Sequence, residues 1–168
     1  MLVLEEDNLI SALRNNYLFR GLSKDLVAGI AAMAERRHYH GGDTLVRQYE
    51  HSHDLLIILD GTAKIKATSD EPLAEFGPGS MIGEISLIDD QPRSATVVAD
   101  GELEVAIIPH SALHAFMQMD PEVASVIMGN IARVLCRRMR SMNLKVEALA
   151  LQEKPKRFPS FWPLKRSA

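Results

Sequence analysis

From His38 to Ile108 the chain is cut into short apolar or alternating runs, each closed by a turn signal. That texture limits the fold more than any other feature, because short runs between turns read as strands and not as helices. Gly41-Gly42-Asp43 makes one turn, and Thr44–Arg47 is the strand after it. Leu55–Leu59 is wholly apolar, which predicts a strand inside a buried core. Asp60-Gly61 turns the chain, Thr62–Ala67 alternates as a strand, and Ser69–Pro72 turns it again. Leu73–Phe76, Ala95–Ala99 and Val105–Ile108 complete the set, the last two separated by Asp100-Gly101. Strands this short and this closely spaced predict a small jelly roll, mainly β with flanking helices.

The flanks have a helical period. Leu9, Ile10 and Leu13 share a face within Asp7–Asn15, and Gly21-Leu22-Ser23 ends that stretch. Ser23 is a good N-cap for a helix over Lys24–Arg36, with Leu26, Ile30 and Met33 facing inward. Ser111 is read as the cap of a short helix to Met117. Asp120-Pro121-Glu122 combines a cap, a first-turn proline and an early acid, and opens a helix to about Gln152. Its residues Met128, Ile131, Leu135, Met139, Met142, Val146 and Leu149 step by three and four. The stripe outruns what a small barrel can cover, so its far end is expected to be a homodimer seam. Residues 1–152 are therefore read as one domain. Residues 153–168, a tail of prolines, basic residues and Trp162, are read either as an output element for an unknown protein partner or as a strap that packs Phe158, Phe161 and Trp162 on the domain's own surface.

Composition closes several alternatives. A net charge of −3 over 168 residues argues against a nucleic-acid-binding surface. The first residues carry acids where a signal peptide needs bases, and no apolar run is long enough to span a membrane. One cysteine, Cys136, excludes an internal disulfide framework and is read as a small buried apolar residue. These features together predict a cytoplasmic protein.

The chemistry is concentrated in Phe76–Val97, FGPGSMIGEISLIDDQPRSATV. Gly83 has no Cβ, so backbone amides can approach an anion, and a helical turn after it would aim further N–H groups there. Arg93 can fork onto two phosphate oxygens, whereas Glu84 can only accept and suits a sugar hydroxyl. The set asks for one phosphate beside one ribose hydroxyl. Gly83-Glu84-Ile85-Ser86-Leu87 followed by Pro92-Arg93-Ser94-Ala95-Thr96 resembles the phosphate-binding cassette of the cyclic-nucleotide-binding domain family, the sensor domains of catabolite activator proteins and protein kinase A regulatory subunits. The resemblance extends over about Asn8 to Asn143. It implies that Arg93 pairs with the cyclic phosphate of cAMP or cGMP and that Glu84 takes the ribose 2′-hydroxyl. It implies that Gly83, Ile85, Ser86, Ser94 and Ala95 complete the cradle. It also implies that the base lies against Ile65 and Leu73, with Arg138 or Met139 of the long helix as its cap. The family's usual glycines are missing from the loop around residues 48–53.

The rival readings are weaker. His38/His40 and His51/His53 have strand-like chelating spacing, but a cupin-type metal centre would need a glutamate where Ile58 stands. The four are read as exposed polar residues, with no metal and no cofactor. Arg133 and Arg140 read as a solvated helix face. No nucleophile is paired with a base, so no enzyme is expected. The tail is too short for a helix-turn-helix domain, which leaves a stand-alone cAMP or cGMP sensor as the first reading. A truncated catabolite-activator-type regulator and a module that has lost its ligand are the alternatives. A hydroxyl at Ser94 serves either purine, and cyclic dinucleotides also stay open.

Overall fold

A computed structural model of the chain describes residues 2–66 and 74–152. It divides into two compact units, residues 1–131 and 132–168, and each is described by itself. The first unit opens with helix α1 (Leu2–Asn15), a 3-10 turn (Tyr17–Phe19) and helix α2 (Lys24–Ala31). Strands β1 (Glu35–Tyr39), β2 (Thr44–Val46), β3 (Leu55–Asp60), β4 (Ala63–Ile65), β5 (Glu75–Phe76) and β6 (Met81–Ile82) follow. A single helical turn, α3 (Ser86–Asp89), precedes β7 (Val97–Ala99) and β8 (Leu103–Ile108). Helices α4 (His110–Met119) and α5 (Pro121–Gln152) close the order.

The strands form two antiparallel four-stranded sheets, β1-β8-β3-β6 and β2-β7-β4-β5. Their facing sides supply one core: Tyr39, Leu56, Ile58, Ile82, Val105 and Ile107 from the first sheet, Val46, Ala63, Val97 and Ala99 from the second. This is the expected jelly roll. The central strand β3 is apolar at every position from Leu55 to Ile58 because both of its faces are buried. At the β3–β4 turn, Gly61 has φ +84°, and a Cβ there would overlap the Glu102 carbonyl. Only glycine fits that corner.

Two buried asparagines fix the helices of the first unit. The Asn16 amide donates to the Gly79 carbonyl at 2.9 Å, and its oxygen accepts from the Leu18 N–H at 2.8 Å. Asn130 Nδ2, on the first half of α5, donates to the Leu18 and Arg20 carbonyls at 2.8 and 2.9 Å. The inward face of this part of α5 is Val123, Ile127, Asn130 and Ile131. Met128, expected on that face, is 36% exposed.

Four local expectations are corrected. The helix from Lys24 ends at Ala31 instead of Arg36, and Glu35–Tyr39 is strand β1, paired with β8. Its charged sequence fits an edge strand, where exposed side chains and the Arg36–Glu104 ion pair at 2.8 Å discourage further pairing. Ser111 does not cap α4. The helix starts at His110, whose N–H donates to Asp54 Oδ1 at 3.0 Å, a cap reached across 56 residues. Of the strand expected over Thr62–Ala67, Ala63–Ile65 is strand and Thr62 and Lys66 are not, while Ala67 lies outside the described residues. Cys136 is exposed. It lies five residues past buried Ile131, which at ~100° per residue rotates it roughly 140° from that face.

The expected turn Ser69–Pro72, Leu73, and the tail 153–168 lie outside the described residues. Asp120 caps α5 as expected, its Oδ1 accepting from the Glu122 and Val123 N–H groups at 3.0 and 3.2 Å. Among the described residues, no helix is long and apolar enough to cross a membrane.

Asn130→Ala would strip the buried Leu18 carbonyl and the part-buried Arg20 carbonyl of this donor. A loss of about 2–4 kcal/mol is expected, read as a lower urea midpoint at unchanged m-value.

Candidate functional site

Arg93 is the centre of the site. It lies between α3 and β7 and is 3% exposed. Its backbone is clamped to the 47–54 loop: Arg93 N–H donates to the Glu50 carbonyl, and Tyr49 N–H donates to the Arg93 carbonyl, both at 2.9 Å. The guanidinium is held from the same loop. Nε donates to Ser52 Oγ at 3.1 Å, and Nη2 donates to the Asp54 carbonyl at 2.6 Å. Nη1 is buried and has no hydrogen-bond partner among the described residues.

The Nη1 group lies directly over Gly83. That glycine has φ +101°, and a Cβ there would overlap Nη1 and stand 2.7 Å from the Asp54 carbonyl. Gly83 is thus required twice, once by its backbone and once by the arginine above it. Next to it Glu84 is 2% exposed and Ser86 3% exposed. Ser94 is exposed, Ala95 half-buried, and Ile85 39% exposed. The cassette residues Gly83 to Ser86 and Arg93 to Ala95 are therefore brought together. The helical turn after Gly83 is α3, only four residues long. The case for an anion here rests on Arg93 and not on a helix terminus.

Electrostatics point the same way. Burial pulls the Arg93 pKa down from its ordinary value, opposed by the charges of Asp54 and then Glu50. A guanidinium nevertheless stays protonated. Its direct partners are a carbonyl and a hydroxyl, both neutral. A buried cation with a donor to spare favours an anionic ligand, because an anion offsets the desolvation that burial imposes.

The loop that holds Arg93 keeps its shape without glycine. Tyr49 adopts φ +68°, the left-handed conformation that a glycine would take without strain. Gln48 ties the loop to the far side of the cassette. Its N–H donates to Thr96 Oγ1 at 3.0 Å and its Nε2 donates to the Ser94 carbonyl at 3.1 Å. Gln48, Ser52 and Asp54 were not recognisable as site residues from sequence, since they act on a cassette some forty residues downstream. A polar run between two strands was the only sign of them.

The remaining expectations divide. Ile65 is half-buried and packs on the jelly-roll core. Leu73 lies outside the described residues. Arg138 and Met139 belong to the second unit, where Arg138 is half-buried and Met139 is 59% exposed. His38, His40 and His51 are exposed as expected, and His40 pairs with Glu102 at 3.0 Å, which raises its pKa. His53 is half-buried.

A two-sheet jelly roll with helices at both ends, carrying a Gly-Glu turn under a buried arginine, defines a β-roll regulatory domain. Residues 36–120 match the cyclic nucleotide-binding domain model, and the chain belongs to that family. It is similar to the Cyclic AMP receptor protein of Thermus thermophilus, with 29% identity over 145 residues, 84% of this chain and 65% of that protein. It is 31% identical over 133 residues to Glutaminase 2 of Bradyrhizobium diazoefficiens, covering 79% of this chain and 21% of that protein. A solved N-terminal domain of a transcriptional regulator from Streptomyces coelicolor aligns with a TM-score of 0.67 and 32% identity, over 78% of this chain and 94% of that one. The chain thus spans about a fifth of the one curated relative and just under two thirds of the other.

Gly83→Ala is expected to destabilise the ligand-free protein by about 1–3 kcal/mol, since the new methyl meets both an unfavourable φ and the guanidinium. Thermal unfolding without ligand reads this directly. Gly79→Ala, also at positive φ but with nothing within 4 Å of the added Cβ, should show the backbone part alone.

Proposed function

We propose that the chain is a non-enzymatic sensor that binds one cyclic mononucleotide, cAMP or cGMP, and passes the signal to a partner protein in the cytoplasm. The observation that carries this reading is the buried Arg93 guanidinium, held over Gly83 with Nη1 unengaged among the described residues. Arg93 meets the cyclic phosphate. Buried Glu84 accepts from the ribose 2′-hydroxyl. Gly83, Ile85, Ser86, Ser94 and Ala95 line the phosphate and sugar. The base lies on the Ile65 and Leu73 side and is capped by Arg138 or Met139 when the long helix closes as a lid. No cofactor is needed. Residues 1–152 act as the sensing domain and 153–168 as the output tail. Any partner that prefers one lid state changes nucleotide affinity by the same factor that nucleotide changes partner affinity.

Saturation at about 100 times Kd should stabilise the protein by about 2.7 kcal/mol. A thermal scan that stays flat with millimolar cAMP and cGMP would sink the proposal. Arg93→Ala should weaken binding more than Glu84→Ala, by about 2–5 kcal/mol against about 1.5–3 kcal/mol. Titration calorimetry measures both. A 2′-deoxy nucleotide should reproduce the Glu84→Ala loss on the wild type and change little on that variant.

We infer further that the protein is a homodimer through α5. Met139, Met142, Val146 and Leu149 recur at steps of three and four and are 53–63% exposed, a stripe that soluble monomers rarely leave uncovered. Met142→Glu with Val146→Glu is expected to give monomers that still bind nucleotide. Sedimentation of the wild type as a monomer at high micromolar concentration would rule the seam out.

One finding favours a second reading, the ligand-binding part of a catabolite-activator-type regulator. The Streptomyces structure, of which this chain covers 94%, is described as the N-terminal domain of a transcriptional regulator. The mass of the natural gene product separates the two readings.

A further inference from the structure

A guanidinium carries its N–H groups on three nitrogens in a rigid plane, so the nitrogens that the protein occupies decide which edge is left for a ligand. Arg93 Nε has a single hydrogen, and Ser52 Oγ accepts it at 3.1 Å. Nη2 donates to the Asp54 carbonyl at 2.6 Å. Nη1, over Gly83, is buried and has no hydrogen-bond partner among the described residues. The fork expected of Arg93 could be presented from the Nε edge or from the outer edge that includes Nη1. Ser52 closes the first.

Ser52 differs in kind from the other supports of Arg93. The Asp54, Glu50 and Tyr49 contacts run through backbone groups, which any residue at those positions would supply. Ser52 acts through its side chain, across 41 residues of sequence. Its hydroxyl is also neutral, so it orients the guanidinium and leaves the positive charge available to an anion.

We propose that Ser52 is a positioning residue for the nucleotide phosphate: its hydroxyl holds Arg93 Nε, so that the phosphate is met from the Nη1 end over Gly83 and one of its exocyclic oxygens is favoured over the other. This role rests on the reading of Arg93 as the phosphate contact. The two exocyclic oxygens of a cyclic phosphate are alike in chemistry and differ in direction. A guanidinium free to turn can follow either. One fixed at Nε and Nη2, in a side chain of a residue 3% exposed, presents the same edge to every ligand. Without the Ser52 hydroxyl, Nε–H is a buried donor that has lost its acceptor, and that edge becomes open to the phosphate.

The test uses the full chain with cAMP or cGMP, whichever binds more tightly, and the two phosphorothioate diastereomers of that nucleotide. In each diastereomer, sulfur replaces a different exocyclic oxygen. Sulfur accepts hydrogen bonds weakly, so titration calorimetry on the wild type should give Kd values for the two that differ by about tenfold or more. Ser52→Ala should weaken the parent nucleotide about tenfold and narrow the gap between the diastereomers to about threefold or less. Ser52→Thr, which keeps the hydroxyl, should restore both. A merely structural loss would weaken all three ligands alike and leave the gap in place. Ser52→Gly removes the same hydroxyl and replaces Ser52→Ala if that variant folds poorly. In the ligand-free protein, the Arg93 Nε–H resonance should exchange slowly with water in the wild type and faster in Ser52→Ala. Equal affinity of the wild type for the two diastereomers, or a gap that Ser52→Ala leaves unchanged, overturns the role of Ser52 and leaves the sensor reading standing. A wild type that binds neither cAMP nor cGMP overturns the sensor reading, and the role of Ser52 falls with it.

Discussion

The guanidinium of Arg93 is the interaction on which the rest of the site depends. A buried cation costs several kcal/mol unless something compensates it. Here the compensation is assembled from three parts of the chain. Ser52 and Asp54 supply acceptors, Asp54 and Glu50 supply a favourable field, and Gly83 supplies the space. None of these suffices alone. The carbonyl and hydroxyl satisfy two donors and leave the net charge in place. An anion arriving over Gly83 would meet a cation already desolvated and already oriented, so little reorganisation remains to be done at binding.

That arrangement has a conformational cost, and the cost is localised. Among the described residues the non-glycine positions with positive φ are Tyr49, at +68°, and Asp90, at +51°. Tyr49 lies in the loop that clamps Arg93, and Asp90 ends the α3 turn between Glu84 and Arg93. Each left-handed L-residue costs about 1–2 kcal/mol. Such strain persists only where surrounding bonds over-determine the geometry. Around Tyr49 those bonds are identifiable: two backbone hydrogen bonds to Arg93, and the Gln48 contacts to Ser94 and Thr96. Strain and support therefore coincide at the cassette, while the sheet core away from it is an ordinary close-packed set of aliphatic side chains.

The contrast between what sequence reading captured and what it missed follows sequence distance. The cassette was legible because its residues lie together within Gly83–Thr96, where the run resembles the family's phosphate-binding cassette residue by residue. Leu55–Ile58 was legible because a doubly buried strand has no alternation. The supports of Arg93 were not legible, because Ser52 and Asp54 meet it only after the sheets have formed, across 41 and 39 residues. The same holds for the α4 cap, where Asp54 replaces the local Ser111. Glu35–Tyr39 misled for a different reason. Its charge and lack of alternation suit a helix end, but an edge strand is under the opposite selection, for polar side chains that discourage pairing. On α5 the apolar spacing was correct in period and displaced in phase, since Asn130 occupies the buried face and Met128 does not.

Asp54 shows why those non-local contacts matter beyond stability. One residue caps α4 through its carboxylate and holds Arg93 through its carbonyl, while the ring of the first residue of α4 stands 4.0 Å from the Asp90 carboxylate at the edge of the cassette. Asp54 therefore joins the support of Arg93 to the start of α4 within one residue. Asn130, beyond α4 on the first half of α5, holds two carbonyls of the N-terminal turn with one amide group. The helices are thus fixed by a few discrete polar bonds superimposed on aliphatic packing. Polar bonds of this kind are either made or broken, whereas apolar contacts alone would yield gradually.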